Sequence, residues 1–100
     1  MNTGIKYDEF EDIMVDADIS TGETSQIVVF NDDYNTFDWV IQCFMEVCDH
    51  THEQAEQLSI LVHFKGKASV KSGSMTFLKP MKDALVERGL SAVIETLVED

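Results

Sequence analysis

The chain holds one proline, two cysteines and only seven lysines and arginines in its 100 residues, and each scarcity narrows what it can be. Set against 19 aspartates and glutamates, the seven cations leave a formal net charge of −12. A phosphate backbone attracts proteins largely because Lys and Arg release its counterions, so nucleic acid is disfavoured as a partner. The two cysteines, Cys43 and Cys48, fall five positions apart on a predicted helix, which separates their Cα atoms by about 8 Å, beyond the reach of a disulfide. They are expected as free thiols, the state a reducing compartment maintains. No apolar run approaches the twenty or so residues that span a bilayer, and the start of the chain lacks the basic-then-hydrophobic pattern of a signal peptide. A soluble, cytoplasmic chain without a membrane partner is expected. Also missing are a Gly-rich phosphate loop, a GxSxG elbow and an HExxH pair. Carboxylates are plentiful, but a general acid or base needs a cleft and a perturbed environment, and nothing in the sequence supplies either. A protein that is not an enzyme, and that carries no cofactor fingerprint, is expected.

What is present suits one small domain with a modest core, since 44% of the residues are hydrophobic. It is organised around Ile27 to Val40, IVVFNDDYNTFDWV. Ile27, Val28, Val29 and Phe30 are β-branched or aromatic and predict a short buried strand. Asn31, Asp32 and Asp33 end it, because their short polar side chains bond nearby backbone and favour turns. Asn35 or Thr36 then caps a helix whose apolar positions are Phe37, Val40, Ile41, Phe44 and Cys48. Three acceptor-rich side chains thus sit at a strand-to-helix corner beside an apolar helix face. They serve either as a solvated turn and cap or as a binding site.

Upstream, Met1 to Ser25 carries seven acidic residues against Lys6 alone. Acidic self-repulsion predicts a flexible extension over 1–25, either a solubilising tail or an interaction segment, with the domain over 26–100. Downstream, Thr51-His52-Glu53-Gln54 has the form of a capping box and opens a second helix with Ala55, Leu58, Leu61 and Val62 as its stripe. Lys65-Gly66 ends it, and His63 falls in its last turn. Cys43, Cys48, His50 and His52 invite a zinc site, but the two cysteines point to different sides of the helix and the spacing fits no common structural pattern. Lys67 to Lys71 alternates as a half-exposed strand, ended by Ser72-Gly73-Ser74.

A third helix is predicted over Met75 to Arg88, with Phe77, Leu78, Met81, Ala84 and Leu85 inward and Gly89 at its end. Pro80 deletes one helical hydrogen bond, so this helix either kinks or begins near Pro80. Leu90 to Val98 supplies a last strand. The order β-α-α-β-α-β predicts an α+β fold, a two-layer sandwich in which a three-stranded sheet is covered on one face by three helices.

Two motifs carry a resemblance. Asn31-Asp32-Asp33-Tyr34, followed by Phe37, Val40 and Ile41, and then Leu61-Val62-His63-Phe64-Lys65-Gly66-Lys67-Ala68, together resemble the bacterial ClpS adaptor family from about Ile27 to Glu95. Either motif alone is weak; the pair, at the right two-helix interval, is specific. The resemblance implies the same fold, shared with the C-terminal domain of the ribosomal stalk protein. It also implies an adaptor that recognises N-degron substrates with Leu, Phe, Tyr or Trp at the N-terminus and delivers them to the N-terminal domain of a Clp AAA+ unfoldase. By that resemblance Asn31, Asp32 and His63 hold the substrate's N-terminal amine, and Asn35, Phe37, Val40, Ser59 and Val62 line an apolar pocket for its first side chain. Phe37 and Val40 serve equally well as ordinary core. Three positions depart from the family's common pattern: Asn35 stands for Thr, Phe37 for Met and Ser59 for Met. A short Ser59 leaves room that favours Trp and Phe over Leu. The start of the third helix lacks the family's charged docking residues. The competing expectation is a stalk-like interaction module of the same fold that never sees a free N-terminus.

Overall fold

The computed structural model describes residues 5–7 and 24–97. Thr24–Phe30 form a strand, β2, that begins three residues before the apolar run. Its extra length has a partner, because Ser25 Oγ and Thr96 Oγ1 share a buried hydrogen bond of 2.8 Å. Helix α1 runs over Phe37–Cys48, with Thr36 as the cap whose side chain accepts from the Trp39 amide. Asp49, in the left-handed region at φ 61°, stops it. No cation lies in its last turn, and Lys71 supplies one from outside by donating Nζ to the Cys48 carbonyl at 3.0 Å.

Helix α2 covers His52–Lys65, and both halves of the expected capping box form. Gln54 N donates to Thr51 Oγ1 at 3.1 Å, and Thr51 N donates to Gln54 Oε1 at 3.0 Å. Gly66, at φ 91°, closes the helix where a side chain would be strained. Strand β3 is Lys67–Gly73, helix α3 is Met75–Glu87 and strand β4 is Ser91–Leu97. In α3, Pro80 lies inside the helix and not at its start. Ser74 caps the first turn, and buried Met75 and Leu78 anchor it, so the loss of one amide donor does not end the helix.

The sheet has the order β1-β4-β2-β3, where β1 is Ile5–Tyr7. All its pairings are antiparallel. Strands β3 and β4 therefore run parallel on either side of β2, joined by α3 as a crossover. The expected β-α-α-β-α-β sandwich is present, and β1 adds a short edge strand beside β4. That strand lies within the stretch expected as a flexible extension, as do Thr24 and Ser25 of β2; residues 1–4 and 8–23 lie outside the described residues, as do 98–100. Between Ile27↔Lys71 and Val28↔Ser69 the register slips, leaving Val70 as a bulge residue that is buried in the core.

The core lies between the sheet and the helices, with Ile27, Val29, Val70 and Ile94 facing Ile41, Phe44, Cys48, Val62, Leu78 and Leu85. Two expected inward positions are exposed. Phe77 is about half exposed because Met75, Leu78 and Leu85 define the buried face of α3; its ring lies over Gly73, where an added Cβ would meet it at 2.9 Å. Leu61 is likewise exposed, since Ala55, Ser59 and Val62 form the buried line of α2.

Candidate functional site at the strand-to-helix corner

The six residues from Asn31 to Thr36 turn the chain from β2 into α1, and their own side chains build the turn. Asp32 Oδ1 accepts from the amides of Tyr34 and Asn35, each at 2.8 Å. Its other oxygen accepts from Asn35 Nδ2 at 2.7 Å, and that nitrogen also donates to the Gly89 carbonyl at 2.9 Å. Asn35 is thereby committed as a brace, which leaves Thr36 to cap the helix. Burial pushes the Asp32 carboxyl up, but the hydrogen bonds from the Asn35 amide, the Asn35 side chain and the Tyr34 amide outweigh it and hold the group below its ordinary value. Asp32 is an anion at neutral pH.

A backbone bond brings the second helix to this corner: the Asn31 amide donates to the Gly66 carbonyl at 2.9 Å. His63 stands three residues before that carbonyl. Ser59, Val62 and His63 are spaced i, i+3 and i+4, so they share one side of α2. Together with the loop and α1 they enclose a cavity of about 370 Å³, lined by Asn31, Asp32, Asp33, Asn35, Phe37, Val40, Ser59, Val62 and His63. All eight residues singled out in the sequence line this one cavity. Asp33 was not among them, although the NDD motif contains it.

The lining is graded. Asn31, Asp33 and His63 are exposed, whereas Val62 and Ser59 are buried. The exposed part of the lining is therefore polar, and the buried part is Val62 with the hydroxyl of Ser59. Phe37 is 42% exposed and acts as wall more than core, while Val40 packs partly against the core as well. His63 meets Phe64 edge-on, with ring centroids 4.8 Å apart, and makes no hydrogen bond among the described residues. Ser59 Oγ is buried and has no partner among them either.

The residues of the zinc alternative do not converge. Among the described residues no three His, Cys, Asp or Glu side chains are grouped to hold a metal ion. Cys43 and Cys48 are buried, and burial pushes the Cys48 thiol up to about 11 and raises that of Cys43, which disfavours the thiolate a metal needs. His50 Nε2 lies 2.6 Å from the Val70 carbonyl and lines a separate cavity of about 510 Å³ with Glu53, Gln54, Gln57, Leu58 and Val70. No described helix is long and apolar enough to cross a membrane.

Known proteins are similar to this chain in sequence and in fold. Residues 20–95 match the family model described as "ATP-dependent Clp protease adaptor protein ClpS". A ClpS adapter of Thermosynechococcus vestitus is 33% identical over 67 residues, covering 66% of this chain and 71% of that protein. One from Acetivibrio thermocellus is 33% identical over 73 residues, covering 72% of each. Among solved structures, Agrobacterium tumefaciens ClpS2 bound to L-phenylalaninamide superposes with a TM-score of 0.60 at 21% identity, over 77% of this chain and 98% of that one, a likeness of fold. The chain belongs to the ClpS family of ATP-dependent Clp protease adaptor proteins and is an adaptor, not an enzyme.

Proposed function

We propose that the corner cavity reads the free N-terminus of a protein substrate, holding its α-amine and burying a bulky apolar first residue (Leu, Phe, Tyr or Trp), and that the adaptor delivers such substrates to the N-terminal domain of a Clp AAA+ unfoldase in the cytoplasm. The observation that carries this is the single cavity in which Asn31, Asp32 and His63 stand with the walls Phe37, Val40 and Val62. An α-amine has a pKa near 8, so at neutral pH it is mostly an ammonium with three donors. Asn31 offers an amide oxygen, Asp32 a carboxylate and His63 a lone pair. Asp32 is suited to this task because its depressed pKa keeps it charged and Oδ2 takes only one bond within the fold, from Asn35.

The cavity volume is at the small end for ligand pockets, which suits one side chain and not a long segment. Burial of a Phe or Leu side chain there is worth roughly 1.5 to 3 kcal/mol. The ligand of the similar ClpS2 structure, L-phenylalaninamide, has the same two features, a free amine and an apolar side chain. A stalk-like module of the same fold would need neither.

The deciding experiment is a titration with a short Phe-initiated peptide and its N-acetylated twin. Acetylation removes the charge and two donors, and breaking a charge-assisted hydrogen bond costs about 1.5 to 3 kcal/mol. At least tenfold weaker binding of the acetylated peptide is expected. Equal affinities would refute terminus recognition and leave the stalk-like module in its place.

A further inference from the structure

Ser59 is the lining residue that neither the amine acceptors nor the apolar walls employ. It is 2% exposed, and its Oγ has no hydrogen-bond partner among the described residues. A serine in mid-helix commonly satisfies its hydroxyl on the carbonyl one turn earlier, which this one does not do. Nearly all buried polar groups are paired, so an unpartnered hydroxyl in a cavity wall marks a position where a ligand's polar atom is favourable. The cavity lining thus combines exposed acceptors, the apolar walls Phe37, Val40 and Val62, and a buried hydroxyl.

We infer that this cavity prefers tyrosine as the substrate's first residue, with Ser59 hydrogen-bonding the phenolic hydroxyl. The inference rests on the proposed reading of the N-terminus and specifies the side chain it selects. A tyrosine ring offers carbon to the walls, and its tip carries an oxygen that both donates and accepts, as Ser59 Oγ does. Phenylalanine and leucine bring only carbon to that depth and leave Ser59 unpaired. Tryptophan carries a donor alone, on the side of its ring system and not at a tip. A site that bonds a substrate hydroxyl discriminates against the analogue lacking it, because the site's own polar group is then stranded.

The experiment uses the full chain and two free-amine peptides that differ only in Tyr or Phe at the first position, titrated against the native protein and Ser59→Ala. Alanine is the strongest helix former and removes the stranded oxygen, so the variant keeps α2, which circular dichroism checks. The native protein is expected to bind the Tyr peptide about three- to tenfold more tightly than the Phe peptide. In Ser59→Ala the two affinities should converge, mainly through loss on the Tyr side. Equal affinities in the native protein, or a Tyr preference that survives Ser59→Ala, would overturn the role of Ser59. That result, obtained while acetylation still weakens binding of the Phe peptide, leaves terminus recognition standing. If acetylated and free peptides bind alike, or neither free peptide binds, both ideas fail together.

Discussion

A histidine stands near each end of α2, and the two are used differently. At the N-terminal end, His50 faces the Val70 carbonyl at 2.6 Å, and its neighbours Gln54 and Thr51 are used up in the capping box. At the C-terminal end, His63 has only an edge contact with Phe64, and one oxygen of the Asp32 carboxylate takes a single bond within the fold. The N-terminal cavity is the larger, about 510 Å³ against 370 Å³. Size does not identify a site; the difference is that His50 is occupied by a backbone carbonyl, whereas His63 makes no hydrogen bond among the described residues.

The largest expected effect follows from Asp32. Asp32→Ala should weaken a free-amine Phe peptide at least tenfold and the acetylated peptide far less, because the carboxylate's contribution depends on the ammonium. The same change unties the loop from the Tyr34 and Asn35 amides and should cost about 1 to 2 kcal/mol of stability. The sign with pH is fixed by the lowered folded pKa. The contribution is complete above the unfolded value of 3.8 and disappears as pH falls through the lower folded value. The stability gap between native protein and variant, followed by denaturant unfolding, should therefore close at strongly acid pH and not near neutrality.

A smaller effect separates the two histidines. His63→Ala should weaken the free peptide several-fold to tenfold without much change in stability, since His63 holds nothing together. His50→Ala should leave affinity unchanged and lower stability by about 1 kcal/mol, the worth of an ordinary hydrogen bond. If His50→Ala is the variant that loses peptide, the assignment of the two ends is reversed.

The smallest effect concerns the acidic stretch. Deleting residues 1–23 removes β1 but none of the cavity lining, all of which lies within residues 31–63. Peptide affinity should stay within about twofold while delivery of a reporter substrate to the unfoldase weakens. A larger loss of affinity, measured with the same Phe peptide, would make that stretch part of the reading site.

Much of this was legible in the sequence because the local signals agreed with the tertiary demands. The NDD turn, the Thr51–Gln54 box and the Gly66 stop each act within four residues, and each formed as read. Where a choice depended on distant contacts the sequence left it open. Asn35 or Thr36 as cap was settled by the Gly89 carbonyl, 54 residues away, which claims the Asn35 amide. The placement of Phe77 and the course of α3 through Pro80 depended on which face met the sheet. Val70 entered the core through a bulge that no periodicity announces. The eight cavity residues came from a motif resemblance, and spacing alone would have given the helix face without the histidine.

The bond from the Asn31 amide to the Gly66 carbonyl sets a condition on recognition. The acceptors on either side of the cavity are 31 residues apart in the chain, and it is the closing of this strand end onto this helix end that brings them within reach of one ligand. A chain folded or synthesised only as far as α1 holds half a clasp. Recognition therefore requires that the end of α2 be docked on the end of β2. Peptide should for the same reason raise the melting temperature of the whole domain by mass action on the native state alone.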